Sequence, residues 1–488
     1  MSPLPVIPPA IVVLIPFLGA AAIALAARAP AWRDALCWLA PVPFFIGVVS
    51  LLGPVVAGDY PGQTLLTLAP GLDLTFRVRP LGMTFALLAS SLWLVATPYA
   101  LGYMKAGGYT NLSRFMACYA IALGAAAGIA FAGDLLTLYV FYEVLSVSTY
   151  PLVAHTGTDK ARAGGRTYLA LLLVTSVGMM LPAIIWVWHA TGDLTLRPGG
   201  MLAGHVDPLA GAALLVLFVF GAGKAAVMPF HRWLPAAMVA PTPVSALLHA
   251  VAVVKAGVFV MLTVAVYVFG LDYLASLVTA TPLLYAAVFT MLAASLVALH
   301  KDNLKARLAY STVSQLSYIV VGALVASPWG AVGGGLHMLM HGFGKITLFF
   351  CAGAIYLATK KSHVSELDGI GRRMPFTMTA FLVGAVCVIG LPPTGGVWSK
   401  WHLIRGAMDA GHYPVVAAFV LSTLLNIGYL LPPVMRAFLR EGPAPEGDAR
   451  LQEAPWLCVV PLCLTAAGTL VLFVLAHPAL ALLGRIFP

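Results

Sequence analysis

Charged residues are scarce in this sequence: only 9% of its 488 residues are Asp, Glu, Lys or Arg, whereas 61% are hydrophobic. A soluble domain has about 25% charged residues, so this composition excludes water as the main solvent of the folded chain. Nucleic-acid binding is not needed to explain the formal net charge of +10, because membrane proteins gather Lys and Arg in the loops on one side. We therefore expect a lipid bilayer around the chain and no nucleic-acid partner.

Cysteine is also rare and has no recognisable pattern. The six Cys residues are Cys37, Cys118, Cys351, Cys387, Cys458 and Cys463. They show neither a Cys-x-x-Cys motif nor the Cys/His spacing of a metal site, and most of them lie inside apolar runs. Motifs for nucleotide, quinone or iron–sulfur binding are missing as well. The sequence therefore predicts no disulfide, no metal site and no cofactor.

Long apolar runs dominate the sequence instead. Fourteen of them approach the roughly 20 residues that a helix needs to span a bilayer, and they cover residues 6-27, 35-57, 81-103, 113-132, 135-155, 167-190, 209-230, 243-269, 280-299, 308-326, 331-358, 376-408, 413-435 and 455-482. They lack the alternation of barrel strands. The fold class is therefore predicted to be an all-α polytopic membrane protein of about fourteen transmembrane helices. Because the first run has no charged segment before it, we interpret it as helix 1 and not as a signal peptide.

Two of the predicted helices are interrupted by Pro. Predicted helix 7 runs into the Pro-containing segment 228-235, and predicted helix 12 runs into 390-396. Nonhelical backbone at membrane depth is stable only inside protein or beside a wet cavity. The two helices are five apart and so run in opposite directions, as in an inverted repeat. We predict a single membrane domain over 1-488, with helices 1 to 3 in 1-104, a first repeat of helices 4 to 8 in 113-269, a second repeat of helices 9 to 13 in 280-435 and helix 14 in 455-488.

The distribution of Lys and Arg predicts the orientation. Most of the 27 cations lie in or beside the odd-numbered loops. They are Arg28, Arg33, Lys105, Arg114, Lys160, Arg162, Arg166, Lys301, Lys305, Arg307, Lys360, Lys361, Arg372, Arg373, Arg436, Arg440 and Arg450. Only Arg77, Arg79, Arg197 and Arg405 lie in or beside even-numbered loops. By the positive-inside rule, the odd loops are cytoplasmic and both termini are external.

Several ionisable residues remain at predicted membrane depth, where they are functional candidates by default. Glu143 lies near the middle of predicted helix 5, where a charged carboxylate costs at least about 2.5 kcal/mol. We expect it to be paired or protonated, with Lys224, beside the first break, as its partner. The alternative is an ion pair that only locks two helices together.

Predicted helix 8 carries Lys255 near mid-membrane and His249 six residues earlier, about 120° away around the helix. Lys255 is a proton-site candidate, whereas His249 lies close to a Pro-Thr-Pro break and is of second rank. On predicted helix 11, His337, His341 and Lys345 recur every four residues and form one stripe. Because His exchanges protons near neutral pH, this stripe favours proton hopping. A haem or metal site and a polar helix contact remain alternatives.

Lys400 lies just after the second break and is a further candidate, unless it extends toward the nearer membrane surface. His231 and Arg232 lie in the first break and are of second rank, because they can also cap freed carbonyl groups. Asp302, Lys305 and Arg307 open predicted helix 10, and we interpret them as structural.

These segments together resemble a known family, the antiporter-like subunits of Mrp-type sodium/proton antiporters, membrane-bound hydrogenases and respiratory complex I. The resemblance covers most of the chain. It is carried by Asp134-Leu135-Leu136-Thr137 leading to Glu143, Gly223-Lys224 with segment 228-235, Ala240 to His249 leading to Lys255-Ala256-Gly257, Leu308 to Gln315, His337 to Lys345, and Gly390-Leu391-Pro392-Pro393 with Lys400.

The resemblance implies fourteen helices, inverted five-helix repeats and a central polar axis for protons. It also implies that Glu143 and Lys224 form a coupling pair, that Lys255 is the central relay, that the helix 11 histidines bridge the halves and that Lys400 lies at the outlet. The chain ends shortly after predicted helix 14, without the long lateral helix of the large complex I member. Its length is similar to that of the Mrp D-type chain, while some of its motifs resemble the core of the large Mrp A-type chain.

The predicted function is therefore proton translocation within a multisubunit complex of a bacterial or archaeal cytoplasmic membrane, most similar to an Mrp-type Na⁺/H⁺ antiporter. The expected partners are other membrane subunits. A proton-pumping component of complex I or of a membrane-bound hydrogenase is the first alternative, and any redox reaction would then occur in another chain of the complex. A stand-alone solute transporter is an alternative of another class, and a haem-bearing oxidase would show a Soret absorbance.

Overall fold

The computed structural model describes residues 5–442 and 451–487. Met1, Pro488 and the loop cation Arg450 lie outside the described residues. The first part contains α1 (Pro9–Leu25), α2 (Pro30–Leu39), α3 (Pro41–Ser50), α4 (Leu52–Ala57), β1 (Gly62–Ala69), β2 (Leu72–Arg77), α5 (Pro80–Ala106), α6 (Leu112–Ala130), α7 (Leu135–Val153), α8 (Asp159–Thr175) and α9 (Leu181–Thr191). The middle contains α10 (Pro208–Gly221), α11 (Trp233–Ala236), α12 (Thr242–Ala246), α13 (Val253–Thr263) and α14 (Leu271–Ser276). The last part contains α15 (Ala280–His300), α16 (Leu304–Leu324), α17 (Pro328–Thr359), α18 (Pro375–Ile389), α19 (Gly396–Asp409), α20 (Tyr413–Leu439), α21 (Trp456–Val474) and α22 (Ala476–Gly484).

The described part of the chain is a polytopic helical membrane protein. Within it, eleven helical stretches are long and apolar enough to cross a membrane, with bounds Pro9–Arg28, Pro30–Ala57, Pro80–Ala106, Leu112–Ala130, Leu135–Val153, Asp159–Thr191, Thr242–Phe269, Ala280–His300, Pro328–Thr359, Tyr413–Leu439 and Trp456–Val474. The predicted fold class is confirmed at this level. Helix starts follow local chemistry, since Asp134, Thr158, Asp207 and Asn303 accept hydrogen bonds from the first turns of α7, α8, α10 and α16.

A β-hairpin lies between predicted helices 2 and 3, a segment in which the all-α prediction contains no strand. Strands β1 and β2 pair antiparallel from Gly62 opposite Arg77 to Ala69 opposite Leu72. The connection is Pro70-Gly71, and Gly71 has φ of +72°, which suits glycine in a tight turn. Thr75 in β2 donates to the Asp134 carboxylate through its backbone N–H at 2.8 Å and its hydroxyl at 2.6 Å. The hairpin therefore fixes the start of α7.

Two helical stretches form the centre of the bundle. In Thr242–Phe269, all of the most apolar 18-residue window is buried, and in Pro328–Thr359 the buried share is 89%. The corresponding share for Pro9–Arg28 is only 28%. The stretches that carry Lys255 and the His337 stripe are thus enclosed by protein, while α1 lies at the perimeter.

Both interruptions by Pro lie close to the predicted positions. α10 ends at Gly221 and is followed by 3-10 turns at Gly223–Ala225 and Phe230–Arg232, while the second break separates Ile389 from Gly396. The sequence did not indicate π-helical turns, yet Leu247–Val251 forms one in predicted helix 8. Such turns are frequent at functional sites.

Candidate functional site

Lys224 is fully buried in the first break. Its ammonium donates hydrogen bonds to the Tyr142 carbonyl oxygen at 2.9 Å and to Ser146 Oγ at 2.7 Å. The Nζ atom also lies 3.1 Å from the centroid of the Tyr142 ring, which is a cation–π contact. The Tyr142 hydroxyl accepts a hydrogen bond from the Lys224 backbone N–H at 3.1 Å. Among the described residues, α7 thus supplies every hydrogen-bond partner of this ammonium.

Glu143 follows Tyr142 directly but makes no direct ion pair with Lys224. Both carboxylate oxygens of Glu143 are buried and have no hydrogen-bond partner among the described residues. The expected Glu143–Lys224 contact is therefore wrong in its direct form. The reason is geometric: adjacent residues on a helix point about 100° apart, and Lys224 reaches the side of α7 that carries Ser146.

A glycine on the neighbouring helix sets the position of Lys224. A Cβ atom added to Gly257 of α13 would lie only 2.2 Å from the Lys224 carbonyl carbon and 2.2 Å from the Ala225 nitrogen. The backbone of the break therefore packs directly against α13, two residues after Lys255. This approach packs the backbone of Lys224 against α13, the helix that carries Lys255, although the Lys255 side chain leaves α13 about 200° around from Gly257.

Lys255 contacts a histidine. Its Nζ atom lies 2.5 Å from His341 Nδ1, and both side chains are buried, with exposed fractions of 0% and 2%. This contact joins predicted helices 8 and 11 at the centre of the bundle. A Lys amine and an imidazole nitrogen in hydrogen-bond contact can share one proton.

His249 lies in the π-helical turn before α13 and takes no part in the Lys255 contact. Its ring packs on Phe349, with centroids 4.7 Å apart. Neither ring nitrogen has a hydrogen-bond partner among the described residues. The ring is thus held by an aromatic contact and retains both nitrogen positions for exchange.

The predicted stripe on α17 is present as one buried line. The His337 and His341 rings have centroids 5.8 Å apart. His337 Nδ1 lies 2.9 Å from Ser399 Oγ of α19. Lys345 donates to Ser311 Oγ at 2.6 Å and to the Leu308 carbonyl oxygen at 3.2 Å, both on α16. The stripe therefore contacts α13, α16 and α19 at successive levels.

Lys400 is 6% exposed and points inward from α19. Its ammonium donates to the Ile389 carbonyl oxygen at 2.8 Å and to Thr423 Oγ1 at 3.2 Å. Because Ile389 is the last residue of α18, the helix break leaves its carbonyl group without a helical partner, and Lys400 donates to it. The Tyr318 ring lies beneath Nζ, with its centroid 4.7 Å away. These contacts exclude extension of Lys400 toward the membrane surface.

By sequence, His231 and Arg232, the second-rank candidates of the first break, can cap its freed carbonyl groups. Among the described residues, neither His231 nor Arg232 donates a side-chain hydrogen bond to a freed carbonyl group of this break. Trp233 instead contacts the backbone of the break: its Nε1 donates to the Gly223 carbonyl oxygen at 2.9 Å, which also accepts the Ala226 backbone N–H at 3.0 Å. Arg232 is exposed and His231 is half-buried.

The residues that open α16 have structural partners. Asp302 accepts hydrogen bonds from the Ser365 hydroxyl at 2.6 Å and its backbone N–H at 3.0 Å. The hydroxyl bond is the main reason that the pKa of Asp302 lies below its ordinary value. Arg307 donates to the carbonyl oxygens of Lys301 at 2.7 Å and Tyr429 at 3.1 Å. These bonds join loops and helix ends.

The structure adds site residues that the sequence analysis did not select. Several polar side chains contact the lysines and histidines: Tyr142, Ser146, Tyr318, Ser399, Thr423 and Asn426. Only Asn426 had a signal, because it recurs with Ser422 and Tyr429 at i, i+4 and i+7 in an apolar run and so shares a helix face with them. The others are common helix residues whose role depends on tertiary contacts.

The fold and this row of buried ionisable residues define a class, the polytopic helical membrane proteins with titratable side chains at membrane depth. Residues 132–426 match the transmembrane family of NADH:quinone oxidoreductases and Mrp antiporters. The chain belongs to this family.

Curated relatives come from two kinds of complex. NADH-quinone oxidoreductase subunit N of Desulforudis audaxviator is 31% identical over 482 residues, which cover 95% of each chain. The A/B chain of a probable K⁺/H⁺ antiporter of Rhizobium meliloti is 30% identical over 93% of this chain, which spans only 46% of that relative. A chain in the structure of the Mrp complex from Dietzia sp. DQ12-45-1b has a TM-score of 0.87 at 22% identity and covers 98% of this chain and 96% of its own. That last similarity supports the fold alone.

Proposed function

We propose that this chain is a proton-translocating, antiporter-like subunit of a multisubunit membrane complex. Protons pass along Glu143, Lys224, Lys255, His337, His341, Lys345 and Lys400. The observation that carries the proposal is the 2.5 Å contact between Lys255 Nζ and His341 Nδ1. It joins two proton-exchanging groups in a fully enclosed part of the bundle, where an unpaired charge is expensive.

The proposed route runs laterally between the two broken helices. It starts at Glu143 and Lys224 on one side of the bundle and continues to Lys255 on α13, the helix against which the backbone of Lys224 packs at Gly257. From His341 it continues along α17 to His337 and then to Lys400 by way of Ser399 and Tyr318. Lys345 extends the route along α17 on the other side of His341, while His249, His231 and Arg232 lie beside this line as secondary groups.

The proposed architecture has fourteen transmembrane helices. Three stretches add to the eleven spans: the shorter apolar helices Pro208–Gly221 and Pro375–Ile389, and Leu304–Leu324, whose cations and hydroxyls lower its hydropathy. The first repeat is 113-269 and the second is 280-435, with helices 1 to 3 before them and helix 14 after. A recurring pair supports the repeat: Lys224 contacts Tyr142 and Lys400 contacts Tyr318, each across 82 residues.

The position of Glu143 supports a contact between this chain and another membrane protein at the edge of the bundle. It lies on α7 between Val140 and Val147, which are 40% and 58% exposed. A buried carboxylate without a hydrogen-bond donor costs free energy, and a neighbouring chain of the complex can supply the donor. The curated relatives are named as subunits of larger assemblies, which agrees with this arrangement.

An Mrp-type monovalent cation/proton antiporter is the first candidate complex, with this chain in a role like that of the Mrp D-type chain. The second candidate is a proton-pumping NADH:quinone oxidoreductase, which the full-length similarity to a subunit N favours. In both cases the complex lies in a cytoplasmic membrane, with the odd loops of the chain inside and its termini outside.

The test uses the assembled complex in inverted membrane vesicles, with the pH gradient followed by a fluorescent dye. We expect Glu143→Ala, Lys224→Ala and Lys255→Ala each to abolish transport without loss of the protein from the membrane. Lys360→Ala is the matched control, because Lys360 is exposed at the end of α17. Wild-type transport by all three variants would disprove the route, and transport of a solute that survives them would favour a solute carrier.

A further inference from the structure

A polar face of α20 lies against Lys400. Ser422, Asn426 and Tyr429 share this face and are all fully buried. The Asn426 amide has hydrogen-bond partners for both of its ends. The surrounding donors and acceptors assign the orientation of this amide: its oxygen accepts from Lys400 Nζ at 3.2 Å and from Gln315 Nε2 at 3.0 Å, while its nitrogen donates to the Ser422 carbonyl oxygen at 3.2 Å. The Tyr429 hydroxyl also contacts the amide.

Four acceptors therefore surround the Lys400 ammonium. They are the Ile389 carbonyl oxygen, Thr423 Oγ1, the Asn426 amide oxygen and, at the longer distance of 3.5 Å, the Tyr318 hydroxyl. An ammonium group has three N–H donors, so the three shorter bonds are enough to satisfy it. All four acceptors are neutral.

The two lysines beside the breaks, Lys224 and Lys400, differ in the charge of the residues around them. Each contacts a Tyr ring, but Tyr142 is followed by Glu143, whereas Tyr318 is followed by Ile319. Asn426 is a side chain of α20 that accepts a hydrogen bond from Lys400, and it has nearly the shape of Asp but no charge. The titratable groups that face Lys400 from the packed helices are Tyr318 of α16, His337 of α17 and Cys387 of α18. A carboxylate is not among them within the described residues.

We propose that Asn426 is a positioning residue that holds the Lys400 ammonium through a neutral oxygen, and that this neutrality allows Lys400 to pass its proton on. A carboxylate at the same place would form a buried ion pair with Lys400. Loss of the proton would then leave a buried, unpaired negative charge, which is strongly unfavourable. The inference rests on the proposed function of Lys400.

The experiment compares two isosteric variants in the assembled complex, with vesicle transport measured across a range of pH. Asn426→Asp keeps the shape and adds a charge, so we expect transport at neutral pH to fall at least about tenfold. The pH of half-maximal transport should rise by about 1 to 3 units, the usual effect of one adjacent opposite charge. Asn426→Leu removes the acceptor and should shift this midpoint in the opposite direction.

Ser422→Ala is the matched control, because this hydroxyl lies on the same face of α20 and contacts Ser295 and Ser314 at 3.4 and 3.5 Å. It should leave the pH midpoint unchanged. An Asn426→Asp variant with a wild-type pH profile would overturn the inference. So would an equal loss of transport in the Asp and Leu variants without a shift of the midpoint, since a purely structural role predicts that result.

Lys400→Ala separates this inference from the proposed function. If Lys400→Ala is inactive while Asn426→Asp behaves like wild type, only the role of Asn426 fails. If Lys400→Ala transports normally, the proposed outlet itself fails. Should Asn426→Asp be missing from the assembled complex, the Leu variant decides: a shifted midpoint supports the inference and an unchanged one overturns it.

Discussion

The backbone contact between α13 and the first break gives the sharpest prediction, which concerns Gly257→Ala. The added Cβ would lie 2.2 Å from two backbone atoms of the break and 2.7 Å from the Lys224 carbonyl oxygen, whereas real Cβ contacts stay above 3.0 Å. Backbone cannot rotate away as a flexible side chain can. The break must therefore move from α13 by almost 1 Å, the difference between 2.2 and 3.0 Å.

This displacement sets the expected size of the effect. Overpacking of this kind costs about 1 to 3 kcal/mol of folding free energy. A misplacement of about 1 Å can lower a reaction that depends on positioning by about 100-fold. We therefore expect Gly257→Ala to lower proton transport at least about tenfold and to lower the midpoint of thermal unfolding in detergent by several degrees.

The assay combines vesicle transport with the amount of this protein in the membrane, so that loss of function is separated from loss of protein. Gly178→Ala is the control, because a Cβ there would meet no atom within 4 Å. In a helical segment this change should be neutral or stabilise by up to about 1 kcal/mol. Wild-type transport and stability of Gly257→Ala would refute the reasoning, since the packed break would then be free to adjust.

Three further variants test single contacts. Ser146→Ala removes a 2.7 Å hydrogen bond to the Lys224 ammonium. Because such a bond is worth about 1.5 to 3 kcal/mol, transport should fall at least about tenfold. Ser148→Ala is the control and should transport normally, since it loses only a 3.3 Å bond within its own helix. Asp134→Ala removes four hydrogen bonds of 2.6 to 2.8 Å and should lower the free energy of unfolding by at least about 2 kcal/mol. This loss should exceed that of Asp207→Ala, which lies at an exposed helix start. Equal losses in the two variants would contradict this ranking. Trp233→Phe removes the indole hydrogen bond to the buried Gly223 carbonyl oxygen, which keeps the Ala226 backbone N–H as a donor, and should destabilise by about 0.5 to 1.5 kcal/mol; an unchanged unfolding midpoint would show that the indole bond does not hold the break.

The membrane helices could be predicted from the sequence because lipid imposes one simple requirement. Each span must be apolar and must satisfy its own backbone, so predicted helix 8 at 243-269 matches the observed stretch Thr242–Phe269. The β-hairpin lies outside that requirement. Its stability depends on the Asp134 carboxylate of another element, which local patterns do not reveal.

The candidate site, too, could be predicted from the sequence only in part. Ionisable residues in apolar runs stand out because their burial is costly, and regular spacing on one helix placed His337 and His341 together. Contacts between helices were not accessible in this way. The sequence suggested Glu143 as the direct partner of Lys224 because opposite charges attract, yet the rotation of α7 presents Ser146 instead. Asn426 was missed because an amide carries no charge.

Close backbone packing at both breaks supports proton transfer and argues against a rocking transporter. At the first break, Gly257 admits the backbone of Lys224 with no room for a methyl group. At the second, a Cβ on Gly396 would lie 1.9 Å from the Cys387 carbonyl oxygen. A solute carrier moves one helix group against another around its broken helices, and such motion would have to separate these contacts. A proton route needs only short side-chain displacements, which a closely packed interior permits. The glycines thus favour fixed breaks with mobile protons, and they explain why the lysines, and not the helices, are the moving parts of the proposed mechanism.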